Sequence, residues 1–263
     1  MKDVLKELVT ATRKRIKSGF YRLSGTANPE GEGFSFVDAI RKDTAVPVVT
    51  EIKPASPSGG QLIPEGTNVE ERADLYRRAG AAGFSVLTDR DYFGGSLRNL
   101  AVVSELGLPT LMKDFLLDYG QIAAGNQMGA DAVLLIYRLF ARDLTEFDLE
   151  GAITYAHDLG LEVLLETNDL REYEAALKTE ADMIGINNRD LRSLKVDLST
   201  TKEVLTNSSK DRPVWSMSGI SGKSDLEYLQ GSGGDAFLVG TALSRSENPK
   251  QLLEEFTGGS DDG

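Results

Sequence analysis

Cysteine is absent from the 263 residues, and histidine occurs once. Without thiols the chain has no disulfides, no thiolate nucleophile and no cysteine-based zinc or iron–sulfur site. The single histidine, His157, sits in the polar helical end Tyr155-Ala156-His157-Asp158 and reads as a surface residue. One imidazole without thiols makes a triad-type hydrolase or a zinc centre a poor fit, so no metal is expected. Tryptophan also occurs once, as Trp215 inside an apolar run, where it reads as packing. Basic residues are in deficit: 29 Lys and Arg stand against 41 Asp and Glu, for a net charge of -12. That balance argues against nucleic acid or an anionic membrane as a partner. The acids are spread along the chain, apart from Asp261-Asp262. They read as an ordinary solvated surface or as adaptation to high salt; unfolding in low and in molar salt separates the two. Long hydrophobic runs are missing as well. The opening Met1-Lys2-Asp3-Val4-Leu5-Lys6-Glu7 alternates charged and apolar residues, unlike a signal peptide or a membrane span, and a cytoplasmic protein is the expectation.

What is present is alternation. After an N-terminal extension, 1–45, apolar β-branched runs recur at Val46–Ile52, Phe84–Leu87, Thr110–Met112, Ala132–Ile136, Glu162–Leu165, Met183–Ile186, Val214–Met217 and Ala236–Val239. Helical patterns lie between them. The first is expected to open on a capping box of Thr67 and Glu70, and glycines such as Gly107, Gly129 and Gly160 close others. Within the extension, Val4, Leu5, Leu8, Val9, Thr12 and Ile16 fall at helical spacing. Eight strands alternating with eight helices match a (β/α)8 barrel, an α/β TIM barrel with an N-terminal helical extension, over 46–257. Residues 258–263 read as a flexible acidic tail. A doubly wound dinucleotide fold needs an early glycine fingerprint, but Gly231-Ser232-Gly233-Gly234 comes late and precedes a strand.

Barrel enzymes keep their chemistry at the C-terminal ends of the strands. The first run ends in Glu51 and Lys53, two residues apart and so on one side of a strand. The others lead into Thr88 and Phe93, Lys113 and Phe115, Leu135 and Tyr137, Glu166 and Asn168, Asn187 and Arg189, Ser218-Gly219, and Gly240-Thr241. Lysines, glutamates, an arginine and an asparagine would thus converge on one mouth. Glycines after the seventh and eighth strands allow backbone N–H groups to approach an anion, pointing to a phosphorylated ligand. Glu51 beside Lys53 favours the charged amine. Lys113 reads either as a general acid or as a Schiff-base amine, and Glu166 as a general base. Phe93 and Phe115 could flank an aromatic ring.

These residues resemble the indole-3-glycerol-phosphate synthases of tryptophan biosynthesis. The resemblance is carried by Glu51-Ile52-Lys53 with Ser56-Pro57-Ser58, Leu111-Met112-Lys113-Asp114-Phe115, Glu166 with Asn168, Gly185-Ile186-Asn187-Asn188-Arg189-Asp190 and Ser218-Gly219-Ile220, in that order. It implies ring closure of 1-(2-carboxyphenylamino)-1-deoxyribulose 5-phosphate with loss of carbon dioxide and water. It also implies no metal or organic cofactor. A monomer is the expected form. Lys113 would be the general acid and Glu166 the base of the dehydration. Lys53 would act on the substrate carboxylate or as a second acid, with Glu51 and Asn187 orienting these groups. Ser56, Gly219, Gly240 and Thr241 would hold the phosphate, while Ser218 and Arg189 support the mouth. Phe93, Phe115 and Leu135 would line the anthranilate pocket. One departure touches the site: relatives commonly carry Glu where Met217 stands. Pro54, Gly94 and Gly59 depart from the family in loops. Two other readings remain open. One is a different phosphate-binding barrel, an isomerase or a Schiff-base aldolase. The other is a ligand-binding protein without turnover, suggested by Met217.

Overall fold

A computed structural model describes residues 4–23, 33–42, 46–57, 59–64, 66–190 and 194–258. Eight parallel strands close into a barrel: β1 (Val48–Ile52), β2 (Gly83–Leu87), β3 (Thr110–Lys113), β4 (Ala132–Ile136), β5 (Glu162–Thr167), β6 (Met183–Asn187), β7 (Val214–Met217) and β8 (Ala236–Val239). Each pairs with its neighbours in chain order, and β8 returns to β1 through Val48↔Phe237 and Thr50↔Val239. The expected tail lies almost wholly outside the described residues, and so does Ser58.

The strands are buried on both faces because helices wrap the outside and side chains fill the inside. Val49, Leu111, Leu134, Leu164, Met183, Trp215, Met217 and Leu238 belong to the inner layer. Val48, Val86, Met112, Val133, Leu135, Leu165, Ile184 and Ile186 alternate with them and face the helices. Met217 is buried in this inner layer and pairs in register with Asn187. A Cβ on Gly185 would lie 2.7 Å from its methyl carbon, so the glycine leaves the space that the methionine fills.

The first outer helix spans Val69–Arg78, but Thr67 does not cap it. Asn68 does, its side-chain oxygen accepting from the Glu70 and Glu71 N–H groups, while the Thr67 hydroxyl donates to the Pro64 carbonyl. Asparagine is as good an N-cap as threonine, and here it occupies the one position with cap geometry.

Two helices precede the barrel, α1 (Val4–Lys17) and α2 (Phe36–Lys42). Phe36 of α2 stops the N-terminal end of the barrel, its ring centroid 5.1 Å from that of Trp215. A Cβ on Gly83 would fall 2.5 Å from the Phe36 ring, so only glycine admits the plug there. The start of α2 is tied by carboxylates: the Phe36 N–H and Ser35 hydroxyl donate to Glu162 at 2.8 and 2.5 Å, and the Phe34 N–H to Asp131 at 2.8 Å. Burial raises the pKa of both carboxyls. Helix α1 instead runs at the opposite end, beside the mouth.

Candidate active site

At the C-terminal end of the barrel, Glu51 is the centre of a buried ionic cluster. Its parity on β1 turns it inward, and the Lys53 and Lys113 ammonium groups lie 2.6 and 3.4 Å from its two oxygens. Burial works against a carboxylate there, but the charges of Lys113 and Lys53 more than offset it and hold the Glu51 pKa down to about 2. Burial likewise disfavours the Lys113 ammonium, yet Glu51 and then Glu166 raise its pKa above the ordinary lysine value. Glu166 shows the opposite balance. Desolvation raises its pKa despite Lys113 and despite a 2.8 Å hydrogen bond donated by the Asn187 amide. One acid is thus kept ionised and the other pushed toward its neutral form, within one cluster. Groups driven apart in this way suit acid and base roles.

Two connected hollows meet over this cluster. The wider, about 470 Å³, is lined by Ser218–Ser221, Gly240, Thr241 and Arg245, among others. The narrower, about 140 Å³, is mainly apolar, with Leu87, Phe93, Phe115, Leu134 and Ile136 from the barrel side. Glu51, Lys53, Arg189, Ser218 and Thr241 border both. Phe93 and Phe115 face each other with ring centroids 6.3 Å apart. Ser56 lies in a small hairpin after β1, paired with Gly60, and edges the narrow hollow. The residues assigned a role in the site therefore reach the mouth except Leu135; of the other strand-end residues, Thr88, Tyr137 and Asn168 line neither hollow.

Leu135 is a correction. It is fully buried in the outer layer, against the helices. Its neighbours Leu134 and Ile136 point into the hollow instead. The register Ile136↔Glu166 sets this phase, since side chains directly opposite on paired strands share a face.

The two glycines after β7 and β8 have steric reasons of their own. Ser218 and Gly219 adopt φ of 69° and 92°, and a Cβ on Gly219 would meet Val196 at 2.4 Å. For Ser218 the left-handed backbone costs of order 1 kcal/mol. Asn188 holds the turn by donating to the Ser218 carbonyl at 3.3 Å and the Ser216 hydroxyl at 3.0 Å. Gly240 has an ordinary φ of -125°, but a Cβ there would lie 2.8 Å from the Glu51 carboxylate. Its missing side chain makes room for the central acid.

Some supporting residues are not evident in the sequence. Arg245 lies four residues past Thr241 on one helical face, and that spacing is its only signal. Arg138 binds Glu172 at 2.7 Å, and Glu172 accepts from the Asn168 N–H at 2.8 Å. The Asn168 amide then donates to the carbonyls of Asn187 and Arg189 at 3.3 and 3.0 Å. This relay fixes the end of β6 from outside the mouth. Val4, Leu5 and Leu8 of α1 complete the apolar hollow. Among the described residues no cluster of metal-ligating side chains occurs and no helix is long and apolar enough to cross a membrane. His157 pairs with Asp182 at 2.9 Å on the outside of the barrel.

Four cations, Lys53, Lys113, Arg189 and Arg245, and three acids, Glu51, Asp114 and Glu166, surround this mouth on a chain of net charge -12. Fold and mouth together define a (β/α)8 barrel of the enzyme type, with a lysine–carboxylate cluster where such barrels keep their chemistry. Comparison with known proteins specifies the family. A family model described as Indole-3-glycerol phosphate synthase matches residues 2–256. Proteins of that name from Aquifex aeolicus and Methanopyrus kandleri are 44% and 38% identical. The first match covers 80% of this chain and 81% of its relative; the second covers 95% and 96%. The chain belongs to the indole-3-glycerol phosphate synthase family. Among solved structures, an N-acetylmannosamine-6-phosphate 2-epimerase from Clostridium perfringens shares the fold, with a TM-score of 0.61 at 14% identity over 87% of this chain and 98% of that one.

Proposed function

We propose that the chain closes the indole ring of 1-(2-carboxyphenylamino)-1-deoxyribulose 5-phosphate, releasing carbon dioxide and water and leaving indole-3-glycerol phosphate. The observation that carries this reading is the spatial order of the mouth. A wide polar hollow with Arg245 lies at one end, the ionic cluster in the middle, and an apolar hollow with two phenylalanines at the other. The substrate has the same order: phosphate, ketose chain, benzoate ring. In this reading Ser56, Gly219, Gly240, Thr241 and Arg245 receive the phosphate, and Phe93, Phe115, Leu134 and Ile136 enclose the ring.

Lys113 donates a proton to the ketone oxygen while the ring carbon bearing the carboxylate attacks the carbonyl carbon. Loss of carbon dioxide returns the bonding pair to the ring. The resulting hydroxyl departs as water, aided by a second acid, and Glu166 takes the proton released as the double bond forms. Lys53 sits on the Glu51 oxygen opposite to that of Lys113. It can bind the substrate carboxylate or serve as the second acid. Glu51 favours the charged form of the Lys113 amine, which suits an acid and disfavours a Schiff base. General acid–base catalysis of this kind contributes roughly 10²–10⁴-fold, with positioning adding to it. Protons and positioning suffice, so the reading requires no metal or organic cofactor. A monomeric form and a cytoplasmic location belong to this reading of a biosynthetic enzyme.

Steady-state turnover followed by indole fluorescence, with carbon dioxide released in equal amount, tests the proposal. A folded protein that binds the substrate without forming indole would favour the binding-protein reading. A borohydride-trapped adduct on Lys113 would favour the aldolase.

A further inference from the structure

Arg15 lies in the last turn of α1, where a basic residue ordinarily faces solvent, yet it is 2% exposed. It ends a buried stripe of Leu5, Leu8, Val9, Thr12 and Arg15 along the helix. Its guanidinium meets three carboxylates from the loops after β2 and β3. Nη1 lies 2.5 Å from Asp89 and 2.8 Å from Asp91, and Nη2 lies 3.1 Å from Asp114. Nε donates to the Tyr21 hydroxyl at 3.1 Å and Nη2 to the Thr12 hydroxyl at 2.8 Å. Tyr21 and Thr88 each donate to the second Asp114 oxygen at 2.7 Å. Two of the acids, Asp89 and Asp114, are buried with Arg15, while Asp91 is exposed and also pairs with Arg90 at 3.6 Å. One buried cation against two buried acids is a poor way to gain stability, but it fixes orientation.

The elements it joins all carry residues of the mouth. Asp114 stands between Lys113 and Phe115 and accepts the Phe115 N–H at 2.8 Å. Asp89 caps the short helix Arg90–Phe93, accepting the Tyr92 N–H at 2.7 Å, and its carbonyl accepts the Gly95 N–H at 2.8 Å. The opposite end of α1 supplies Val4, Leu5 and Leu8 to the apolar hollow. Leu8 and Arg15 are two turns apart, about 10 Å along one helical face. We infer that Arg15 is a positioning residue. It locks the N-terminal helix to the loops after β2 and β3, and thereby closes the ring-binding end of the mouth around Phe93 and Phe115. The assignment of that end to the benzoate ring rests on the function proposed above; the clamp itself rests on the contacts.

The test is Arg15→Lys, which keeps the charge but loses the planar fork that reaches three acids at once. KM for the phosphorylated substrate is expected to rise roughly tenfold, with kcat within about threefold. Competitive inhibition by inorganic phosphate, which reports the far end, should be unchanged. Hydrogen exchange should quicken together over residues 4–17 and 89–95, a readout that is independent of turnover. If the wild type makes no indole, the functional reading fails and the exchange experiment still decides the clamp. An unchanged exchange pattern overturns the inference. So does an unchanged KM in a folded active variant, or a loss of phosphate affinity equal to the rise in KM. If Arg15→Lys does not fold, Arg15→Met combined with Asp89→Asn and Asp114→Asn removes the charge imbalance, and the same outcomes apply. Failure of both to fold would assign the cluster to folding alone and overturn the inference.

Discussion

Replacing Glu51 by glutamine keeps the shape at the centre of the mouth and removes its negative charge. The carboxylate is 2% exposed and bridges two ammonium groups, Lys53 at 2.6 Å and Lys113 at 3.4 Å. Despite the opposing effect of burial, the two lysines bring its pKa from 4.5 to about 2. At roughly 1.4 kcal/mol for each tenfold change in proton affinity, that is about 3 kcal/mol in favour of the anion. This contribution to stability is complete above pH 4.5 and is lost as pH falls through about 2. The wild type should therefore exceed Glu51→Gln in thermal stability near neutrality, and the gap should shrink on acidification through that window. The effect on catalysis runs through Lys113. Burial lowers its pKa, and Glu51 is the largest influence raising it. Without Glu51, the basic limb of the kcat/KM profile, assigned to loss of the Lys113 proton, should move to lower pH. Misplacement of both amines should cost about 10²-fold in kcat. Indole fluorescence across pH, with thermal unfolding on the same samples, reads both effects. A folded Glu51→Gln enzyme with near-normal turnover and an unmoved basic limb would refute the reasoning.

Gly240→Ala should lower kcat about tenfold and cost about 1–3 kcal/mol of stability, because its Cβ would lie 2.8 Å from the carboxylate and 3.0 Å from the Cβ of buried Glu51. Combined with Glu51→Gln it should add little further loss, and full additivity in a double-mutant cycle would contradict the coupling. Asn187→Ala removes the hydrogen bond that favours ionised Glu166, so the Glu166 pKa should rise further and the acidic limb of kcat should move to higher pH. A limb that moves to lower pH would overturn that account. Phe36→Ala should cost about 3–5 kcal/mol in urea unfolding, since it empties the barrel plug beside Trp215, with KM unchanged at the far end. A cost below about 1 kcal/mol would show that the plug is dispensable.

Much of this architecture is legible in the chain because apolar runs and helical patterns alternate. The limits of β4, β7 and β8 agree with the apolar runs to the residue, whereas β5 and β6 extend further, to Thr167 and Asn187. Glu166 and Asn187 therefore stand on strands, and polarity alone made the strands look shorter. The site residues were visible because charge at the end of a buried strand is costly and thus informative. Leu135 was misplaced for a related reason. In Ala132-Val133-Leu134-Leu135-Ile136 every residue is apolar and buried, so no alternation marks which side faces inward; only the register with β5 does. Arg15, Arg138 and Arg245 are helical arginines, and on a helix an arginine ordinarily signals solvent. The partners Glu172, Asp114 and Gly59 lie 34, 99 and 186 residues away in sequence, and such distances leave no local pattern.

Formation of indole-3-glycerol phosphate at this mouth, with Lys113 as the acid, is decided by one paired experiment. Turnover of 1-(2-carboxyphenylamino)-1-deoxyribulose 5-phosphate is compared between the wild type and Lys113→Ala, with matched thermal melts. The wild type should form indole, and turnover should fall about 10³-fold or more in a folded variant. Near-normal turnover by Lys113→Ala, or a folded wild type that forms no indole, would contradict that assignment.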